Sequence, residues 1–197
     1  MASLLGYFML HKKAMKMFYL SVLLLVSAPL FAKVTDTVVA ESKYKQAIDF
    51  SPLSPAFRIY AVQYTYEFSE KNEVMLGLAY VNVTNKDIGI NHDPTIVVGY
   101  RRYLWKKLHL EYQLWPGYNH YFSIPENTYF DGFDLWNEFR LGYRMDFHIS
   151  TLPVYLNYQV LAGFGLYGGN KPQSFKDWAK RQPFFFVAPV LFMGIRF

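Results

Sequence analysis

The sequence feature that most constrains the fold is an alternation of apolar and polar residues, sustained over segments of about 11 to 17 residues. The clearest segment is Phe133–Ile149, in which every odd position except Asn137 is apolar. Five of its even positions are charged: Asp134, Glu138, Arg140, Arg144 and Asp146. Because successive side chains of a β-strand point to opposite faces, this segment predicts a strand with one apolar and one ionic face. Strands of soluble proteins are usually about 5–6 residues long, so these segments are unusually long.

Six further segments alternate in the same way and are predicted to be strands: Ala56–Ser69, Glu73–Thr84, Thr95–Trp105, Leu108–Phe122, Pro153–Tyr167 and Phe184–Phe197. An eighth segment, Lys43–Phe50, alternates weakly, and a short helix is nearly as compatible with it. We favour a strand there because a closed antiparallel barrel of this type has an even number of strands. The prediction is an all-β fold, a closed antiparallel up-and-down barrel of eight strands. Composition agrees with fine alternation, since 52% of the residues are hydrophobic while the mean hydropathy is only +0.03.

The connections between the predicted strands alternate in length. The short ones are Ser69–Asn72, Trp105–Leu108 and Ser150–Pro153, and the long, polar ones are Asn85–Pro94, Ser123–Gly132 and Gly168–Pro183. Outer-membrane barrels have this arrangement, with short turns in the periplasm and long loops outside the cell. Tyr and Trp residues lie near the strand ends, as in the aromatic girdles of such barrels. These observations favour a transmembrane β-barrel.

The N-terminus has the pattern of an export signal. Lys12, Lys13 and Lys16 precede an apolar run of about 14 residues that ends close to Ala32. A charged region, a short apolar region and a small residue at the cleavage point are typical of a secretory signal peptide, and the run is shorter than the ~20 residues of a membrane-spanning helix. We therefore predict a signal peptide over residues 1–32, with Met15 as a possible true start, and a barrel over residues 33–197.

Charge and cysteine content exclude several function classes. The formal charge of +5 falls to +2 without the signal peptide, and no Lys/Arg-rich stripe remains, so nucleic acid is not expected as a partner. The chain contains no cysteine, which excludes disulfides, metal–thiolate sites and a thiol nucleophile. The histidines lack metal-ligand spacing, so neither a metal nor a cofactor is expected.

The C-terminal strand ends in alternating apolar residues and a terminal aromatic: Leu191, Met193, Ile195 and Phe197. This ending is similar to the signal that the outer-membrane assembly machinery reads, and nearly the whole mature chain resembles the small eight-stranded bacterial outer-membrane β-barrels. The resemblance implies a Gram-negative source, a location in the outer membrane, periplasmic termini and outward-facing long loops. Outer-membrane lipid, lipopolysaccharide and the assembly machinery are then the expected partners, and a monomer is expected.

A secreted calyx of lipocalin type is the main alternative fold. It also has eight strands, but its apolar face would surround a small apolar ligand and its ionic face would meet water. Alternation alone does not separate the two folds. The alternating loop lengths, the terminal Phe197 and the aromatic belts favour the membrane barrel.

The polar faces of a membrane barrel would fill its lumen, since eight strands enclose just enough space for side chains. Pairing about the middle of the Ser123–Gly132 loop places Glu111 opposite Arg144 and His109 opposite Asp146, and the tight Trp105–Leu108 turn places Arg101 near Glu111. The predicted lumen network consists of Arg101, His109, Glu111, Glu138, Arg140, Arg144 and Asp146. We interpret it as structural, because charges in a dry lumen must be paired.

Two surface features are candidates for function. The loop Gly168–Pro183 carries a basic and aromatic patch, which either contacts anionic lipopolysaccharide or a partner or is simply a solvated loop: Lys171, Phe175, Lys176, Trp178, Lys180 and Arg181. The pair His148 and Ser150 is similar to part of the triad of lipid A deacylases, but it lies at a predicted periplasmic turn. An acyltransferase-type site would draw on His92, Asp93, His120, Ser123 and Asp134.

The predicted function is that of a plugged, non-catalytic outer-membrane barrel with a role in envelope structure or surface interaction. The alternatives are a barrel enzyme that modifies lipid A, by deacylation or acyl transfer, and a carrier of small apolar molecules.

Overall fold

The structure is a computed structural model that describes residues 44–169, 171–182, 184 and 186–197. The predicted signal peptide, residues 1–32, lies outside the described residues. Within them are eight strands, a short 3-10 helix (Ser54–Phe57) and one α-helix, α1 (Gln173–Lys180). The strands are β1 (Gln46–Phe50), β2 (Ile59–Ser69), β3 (Asn72–Asn85), β4 (Gly89–Trp105), β5 (Leu108–Ser123), β6 (Thr128–Ile149), β7 (Leu152–Gly168) and β8 (Phe186–Arg196).

The eight strands form a closed ring. Each strand pairs antiparallel with its neighbour in the chain, and β1 closes the ring by pairing antiparallel with β8. The predicted all-β, up-and-down arrangement of eight strands is therefore confirmed. The strand favoured over a helix in Lys43–Phe50 is also confirmed, as the five-residue β1.

Three hairpin turns lie at one end of the ring, called the turn end below. They join β2 to β3 at residues 70–71, β4 to β5 at residues 106–107, and β6 to β7 at residues 150–151. Lys106 and Ser150 have positive φ angles of 48° and 57°, as tight two-residue hairpins require. All three turns were predicted. The opposite end is called the cap end, because it carries α1.

Two of the three long loops predicted at the cap end are wrong. β3 and β4 continue until only residues 86–88 connect them, and β5 and β6 continue until only residues 124–127 connect them. Asn, Asp, Gly and Pro in these stretches indicated loops, but cross-strand pairing continues through them, as far as Asn85↔Gly89 and Ser123↔Thr128. The prediction of a loop over Gly168–Pro183 is correct in that, beyond the last residue of β7 at Gly168, residues 169 and 171–182 contain no strand, although they contain α1. The predicted start of β2 at Ala56 is also wrong, because Ala56 and Phe57 belong to the 3-10 helix.

The two faces of the ring differ in polarity. The outward face is apolar and aromatic: on β2 and β3, for example, Tyr60, Val62, Leu76 and Leu78 are 50%, 48%, 60% and 65% exposed. The inward positions of the same strands, such as Gln63, are buried. The interior is ionic near the turn end, apolar in its middle, and polar again near the cap end, where Asn91, Asn119 and Asp134 are buried.

The apolar part of the interior contains nine buried side chains from six strands: Ala79, Val81, Val83, Val97, Trp115, Trp136, Leu161, Phe186 and Ala188. We call this group the apolar layer. Partly buried neighbours, among them Trp178 of α1, pack against it. In the part of the chain that the structure describes, no helix is both long and apolar enough to cross a membrane.

Candidate functional site

A buried ion network fills the interior near the turn end, with Arg101 at its centre. Arg101 Nε donates a hydrogen bond to Glu111 Oε2 at 2.7 Å, and its Nη1 donates to Glu73 Oε2 at 2.6 Å. Its Nη2 lies 3.9 Å from Asp49 Oδ2. These four side chains are almost inaccessible to solvent. Because an isolated buried charge is costly, this mutual pairing allows them to occupy the interior.

Arg140 forms the second branch of the network. Its Nη1 lies 3.2 Å from Glu111 Oε1, and its Nε donates to Glu138 Oε2 at 2.9 Å. Gln159 Nε2 donates to Glu111 Oε2 and Gln113 Nε2 to Glu111 Oε1, both at 2.7 Å, so the Glu111 carboxylate is bound by two arginines and two amides. Trp136 Nε1 donates to Glu138 Oε1 at 2.9 Å and so joins the network to the apolar layer.

Arg144 forms the third branch, towards the turn end. Its Nη1 donates to Glu73 Oε1 at 2.7 Å, and its Nε lies 3.1 Å from Asp146 Oδ1. Asp146 also pairs with Lys107, at 2.5 Å, and is partly open to solvent. It therefore lies at the edge of the network rather than in its centre.

The structure thus places six of the seven predicted network residues in one connected set, but with a different strand pairing. Glu111 lies opposite Arg140 and not Arg144, and His109 lies opposite Gly142 and not Asp146. The prediction assumed that the chain turns in the middle of Ser123–Gly132, whereas it turns within residues 124–127. The seventh residue, His109, contacts Gln159, with 3.2 Å between their Nε2 atoms, and the ring of Tyr103.

Two central carboxylates of the network were missing from the prediction. Asp49 accepts hydrogen bonds from Tyr155 Oη and Thr65 Oγ1, the latter at 3.2 Å. Glu73 binds both Arg101 and Arg144. The sequence did contain a signal for both carboxylates. Asp49 lies between the outward Ile48 and Phe50, so it must point inward. Glu73 has an odd number, like the other inward residues of β3.

The helix α1 covers the cap end of the interior. Phe175 is buried against Tyr121, with ring centroids 5.3 Å apart, and Trp178 packs between Phe175 and the apolar layer. The predicted basic and aromatic patch is therefore divided between two environments. Lys171, Phe175 and Trp178 point into the barrel, whereas Lys176, Lys180 and Arg181 are exposed.

Lys171 joins the segment before α1 to the barrel wall. Its Nζ lies 3.2 Å from Asp134 Oδ2 of β6 and 3.2 Å from Asn91 Oδ1 of β4, and it sits 4.7 Å from the centre of the Tyr121 ring. Burial lowers the pKa of Lys171, and the Asp134 carboxylate partly offsets this effect. Lys171 therefore forms a buried polar contact that holds the segment before α1 against the barrel wall.

A second contact joins α1 to the β5–β6 loop. Ser174 Oγ donates to Glu126 Oε2 at 2.7 Å, and Ser123 Oγ donates to the same oxygen. These hydrogen bonds, from Ser123 first and then Ser174, lower the pKa of Glu126 below its ordinary value.

A row of polar side chains crosses the outward face near the cap end. Asn82, His92, His120 and Asp131 lie directly opposite one another on β3, β4, β5 and β6. His120 Nδ1 is hydrogen-bonded to the Asp131 carboxylate, and its ring stacks on Tyr129 with 4.5 Å between centroids. Tyr80 Oη lies 2.9 Å from His92 Nδ1. The carboxylate orients the His120 imidazole, as a general base requires.

The other predicted residues of an acyltransferase-type site do not join this row. Asp93 and Asp134 are inward and buried, and Ser123 is bound to Glu126. His148 and Ser150 are both exposed at the turn end, and Ser150 occupies the β6–β7 turn with a positive φ. The structure therefore brings together His120 and Asp131, a pair that the sequence did not single out.

The residues of the predicted assembly signal follow one face of the last strand. Leu191, Met193 and Ile195 point outward from β8, and Ile195 and the terminal Phe197 are exposed. Ile195 lies opposite Ile48 of β1 and Val154 of β7, so this strand completes the closure of the ring.

Neither a metal site nor a known relative accounts for these features. Among residues 44–169, 171–182, 184 and 186–197, no group of three or more His, Asp or Glu side chains is arranged to hold a metal ion. The chain matches no family model, no curated protein and no solved structure.

Proposed function

We propose that this protein is a small outer-membrane β-barrel of the Gram-negative envelope, with a lumen filled by side chains and a structural or surface-interaction role. The observation that carries the proposal is the polarity of the ring, whose exposed outer face is apolar and whose interior near the turn end is ionic. A protein surrounded by water has the opposite arrangement. A closed ring also pairs the backbone polar groups of its strands, which a lipid environment requires.

The outer face supports this proposal in detail. Tyr100, Tyr112 and Phe139 form a cross-strand aromatic row nearer the turn end, which Val74 extends to Tyr66, and Tyr60 and Tyr80 form an aromatic pair nearer the cap end. Aliphatic side chains such as Leu76 and Leu78 lie between them and are more than half exposed. An apolar band bordered by aromatic residues is the surface of an outer-membrane barrel. A continuous apolar surface of this extent is not expected on a soluble monomer.

The interior argues against both a lipocalin-type carrier and an open channel. A calyx needs an apolar cavity, whereas Arg101, Glu111, Arg140 and their partners occupy the turn-end half of the interior. The apolar layer and buried polar side chains such as Asn91 and Asn119 occupy the rest of the interior, and α1 covers its cap end. We therefore expect the protein to give no steady conductance in planar bilayers.

The orientation follows from the loops. Short turns face the periplasm in barrels of this type, so the cap end would face outward. The exposed Lys176, Lys180 and Arg181 would then lie close to the anionic groups of lipopolysaccharide, and they are the part of the predicted patch that is available for this contact.

Labelling with a carbene generator dissolved in the lipid phase tests the proposal. In proteoliposomes, the outward Leu141 and Tyr158 should be labelled, and the inward Gln113 and Gln159 should not. An unlabelled Leu141 or Tyr158 would exclude the membrane barrel. Labelling of the inward residues instead would favour a calyx.

The second candidate function is hydrolysis of a lipid ester, and the His120–Asp131 pair favours it. The two side chains are about half exposed, at 49% and 50%. They lie on the outward face beside a surface groove that includes Pro94, Tyr118 and Phe133. His120 Nε2 would take a proton from water as the water oxygen attacks the ester carbonyl, and the proton would pass to the departing alkoxide.

Mass spectrometry of lipid A, from cells with the protein and cells without it, tests this second function. Loss of an acyl chain that depends on His120, and is absent in His120→Ala, would support hydrolysis. An unchanged lipid A spectrum would exclude lipid A as the substrate and leave the structural role.

A further inference from the structure

The cap end contains a pocket of about 430 Å³ between α1 and the ends of β6 and β7, called the cap pocket below. Aromatic side chains dominate its lining, including the otherwise buried Trp136, together with Phe164, Phe175 and Phe184. Its charged residues are Asp134, Lys171 and Lys180. An apolar pocket with a few convergent polar groups is the usual form of a small-molecule site.

An irregularity in the wall produces this pocket. Leu135 pairs with Tyr167 and Trp136 pairs with Gly165, so Leu166 is an extra residue on β7. Asn137, the one polar residue on the outward face of β6 between Phe133 and Ile149, donates from Nδ2 to the backbone carbonyl oxygen of Phe164 at 2.8 Å beside this bulge. Bulges frequently occur next to functional sites, where they redirect side chains and end strand pairing.

Glycines in β7 leave the space open. A Cβ atom at Gly163 would lie 2.6 Å from Trp136 Cζ2, so a glycine is needed there for the indole to pack against the strand. A Cβ atom at Gly165 would meet only Trp136, at 3.9 Å, and a Cβ atom at Gly168 would meet nothing within 4 Å. The volume beside Trp136 is therefore unfilled.

The described strand pairing of the wall is shorter on the β8 side at this point, where Phe184 packs against Phe164 with ring centroids 4.7 Å apart. Among the described residues, the pairing of β7 with β8 ends at Gly163↔Phe186, whereas β7 continues to Gly168 paired with β6. The outer face on either side of this notch carries apolar residues such as Leu166 and Tyr167, which are about half exposed. A molecule dissolved in the surrounding lipid could thus enter from the side.

The polar groups of the pocket offer one acceptor and one donor, which a hydroxyl can satisfy together. Asp134 Oδ2 is bound to Lys171, but its buried Oδ1 has no hydrogen-bond partner among the residues that the structure describes. The Lys171 ammonium has three N–H donors, and two of them serve Asp134 and Asn91. A ligand hydroxyl can donate to Asp134 Oδ1 and accept from the third donor of Lys171. A ligand carboxylate would instead face the Asp134 carboxylate.

We propose that the cap pocket binds a single-chain lipid with a hydroxyl headgroup, which enters from the lipid phase through the notch between β7 and β8. The chain lies against Trp136 and Phe175, and the hydroxyl binds Asp134 and Lys171. This inference rests on the proposed function, because it requires the outer face to meet lipid.

Photolabelling with a diazirine-bearing dodecanol in phosphatidylcholine proteoliposomes tests the inference. Adducts should form on Trp136 and Phe175, and unlabelled dodecanol should suppress them at least fivefold more effectively than dodecane or dodecanoate. Gly165→Leu, which fills the pocket, should reduce them at least fivefold. Val62→Leu, which adds one methylene to the lipid-facing wall of β2, should leave them unchanged.

Adducts on the outer wall distinguish a failure of the cap-pocket proposal from a failure of the membrane-barrel proposal. Labelling of Val98 and Leu141 without labelling of Trp136 or Phe175 would overturn the cap pocket and leave the membrane barrel intact. If dodecane suppressed the adducts as effectively as dodecanol, the proposed binding of a hydroxyl by Asp134 and Lys171 would be overturned. If neither wall nor pocket is labelled, the membrane barrel fails, and the inference fails with it. A heat-induced gel shift matching that of the wild type would show that Gly165→Leu has folded.

Discussion

Arg101 and Glu111 lie directly opposite each other on β4 and β5, and a 2.7 Å hydrogen bond joins them inside the ring. Neither side chain has appreciable contact with solvent, and each has a second partner of opposite charge, Glu73 for Arg101 and Arg140 for Glu111. The pairing therefore links four strands, β3 to β6, through one continuous set of charges. Removing any member therefore leaves at least one buried charge with one partner of opposite charge fewer.

Glu111→Ala should strongly destabilise the barrel. The change leaves Arg101 and Arg140 without a shared carboxylate, and breaking a buried ion pair from one side typically costs about 3–5 kcal/mol. The free energy of unfolding, measured in urea for the refolded protein, should fall by that amount. Glu70→Ala, in the exposed β2–β3 turn, is the matched control and should change it by less than about 0.5 kcal/mol. Equal stabilities for the two variants would mean that the network does not stabilise the fold.

Gly194→Ala should also destabilise the barrel, by overpacking. An added Cβ would overlap the ring of Tyr155 and lie 2.5 Å from its hydroxyl oxygen, and that hydroxyl donates to Asp49. Overpacking of a filled interior typically costs about 1–3 kcal/mol. Gly168→Ala is the control, because nothing lies within 4 Å of its added Cβ. The same urea titration should separate the two variants, and a wild-type midpoint for Gly194→Ala would contradict the close packing of Tyr155.

Alternation was sufficient to predict which residues of each strand share a face, although the loop lengths and the terminal Phe197 were needed to favour the polar face as the inward one. It was not sufficient to fix the pairing register, because register depends on where the chain turns. Two hairpins extend further than their Asn, Asp, Gly and Pro content indicates. Because the chain turns within residues 124–127, the residue opposite Glu111 is Arg140 and not the predicted Arg144. Short polar strand ends and loops have the same composition, and only cross-strand pairing distinguishes them.

The cap could not be predicted for a different reason. The sequence of residues 168–183 shows basic and aromatic residues together, which indicates an exposed patch. The direction of each side chain depends on how α1 docks, and docking depends on partners far away in the chain, such as Asn91 and Tyr121. The same non-local dependence applies to the His120–Asp131 pair, which requires the β5–β6 register.

Asp134→Ala should loosen the cap. It leaves the Lys171 ammonium buried without its carboxylate, and moving the cap outward returns that ammonium to water. Tryptic cleavage after Lys180 or Arg181 should therefore become at least about tenfold faster, which corresponds to about 1.4 kcal/mol. Asp131→Ala is the control, since it removes an exposed carboxylate from the same strand. Equal cleavage rates in the two variants would mean that the Lys171–Asp134 pair does not hold the cap.

Acid should release the contact between α1 and the β5–β6 loop through Glu126. Hydrogen bonds from Ser123 and Ser174 hold the pKa of the folded Glu126 below the ordinary value of 4.5. A carboxylate with a lowered folded pKa stabilises the docked state above the ordinary pKa, and this contribution is lost as the pH falls through the folded value. Hydrogen exchange of the α1 amides, corrected for the intrinsic pH dependence, should accelerate in the wild type as the pH falls below 4.5 and through the folded pKa. In Glu126→Gln this acceleration should be absent, because the neutral amide does not titrate, and the same pH profile in both proteins would exclude Glu126 as its source.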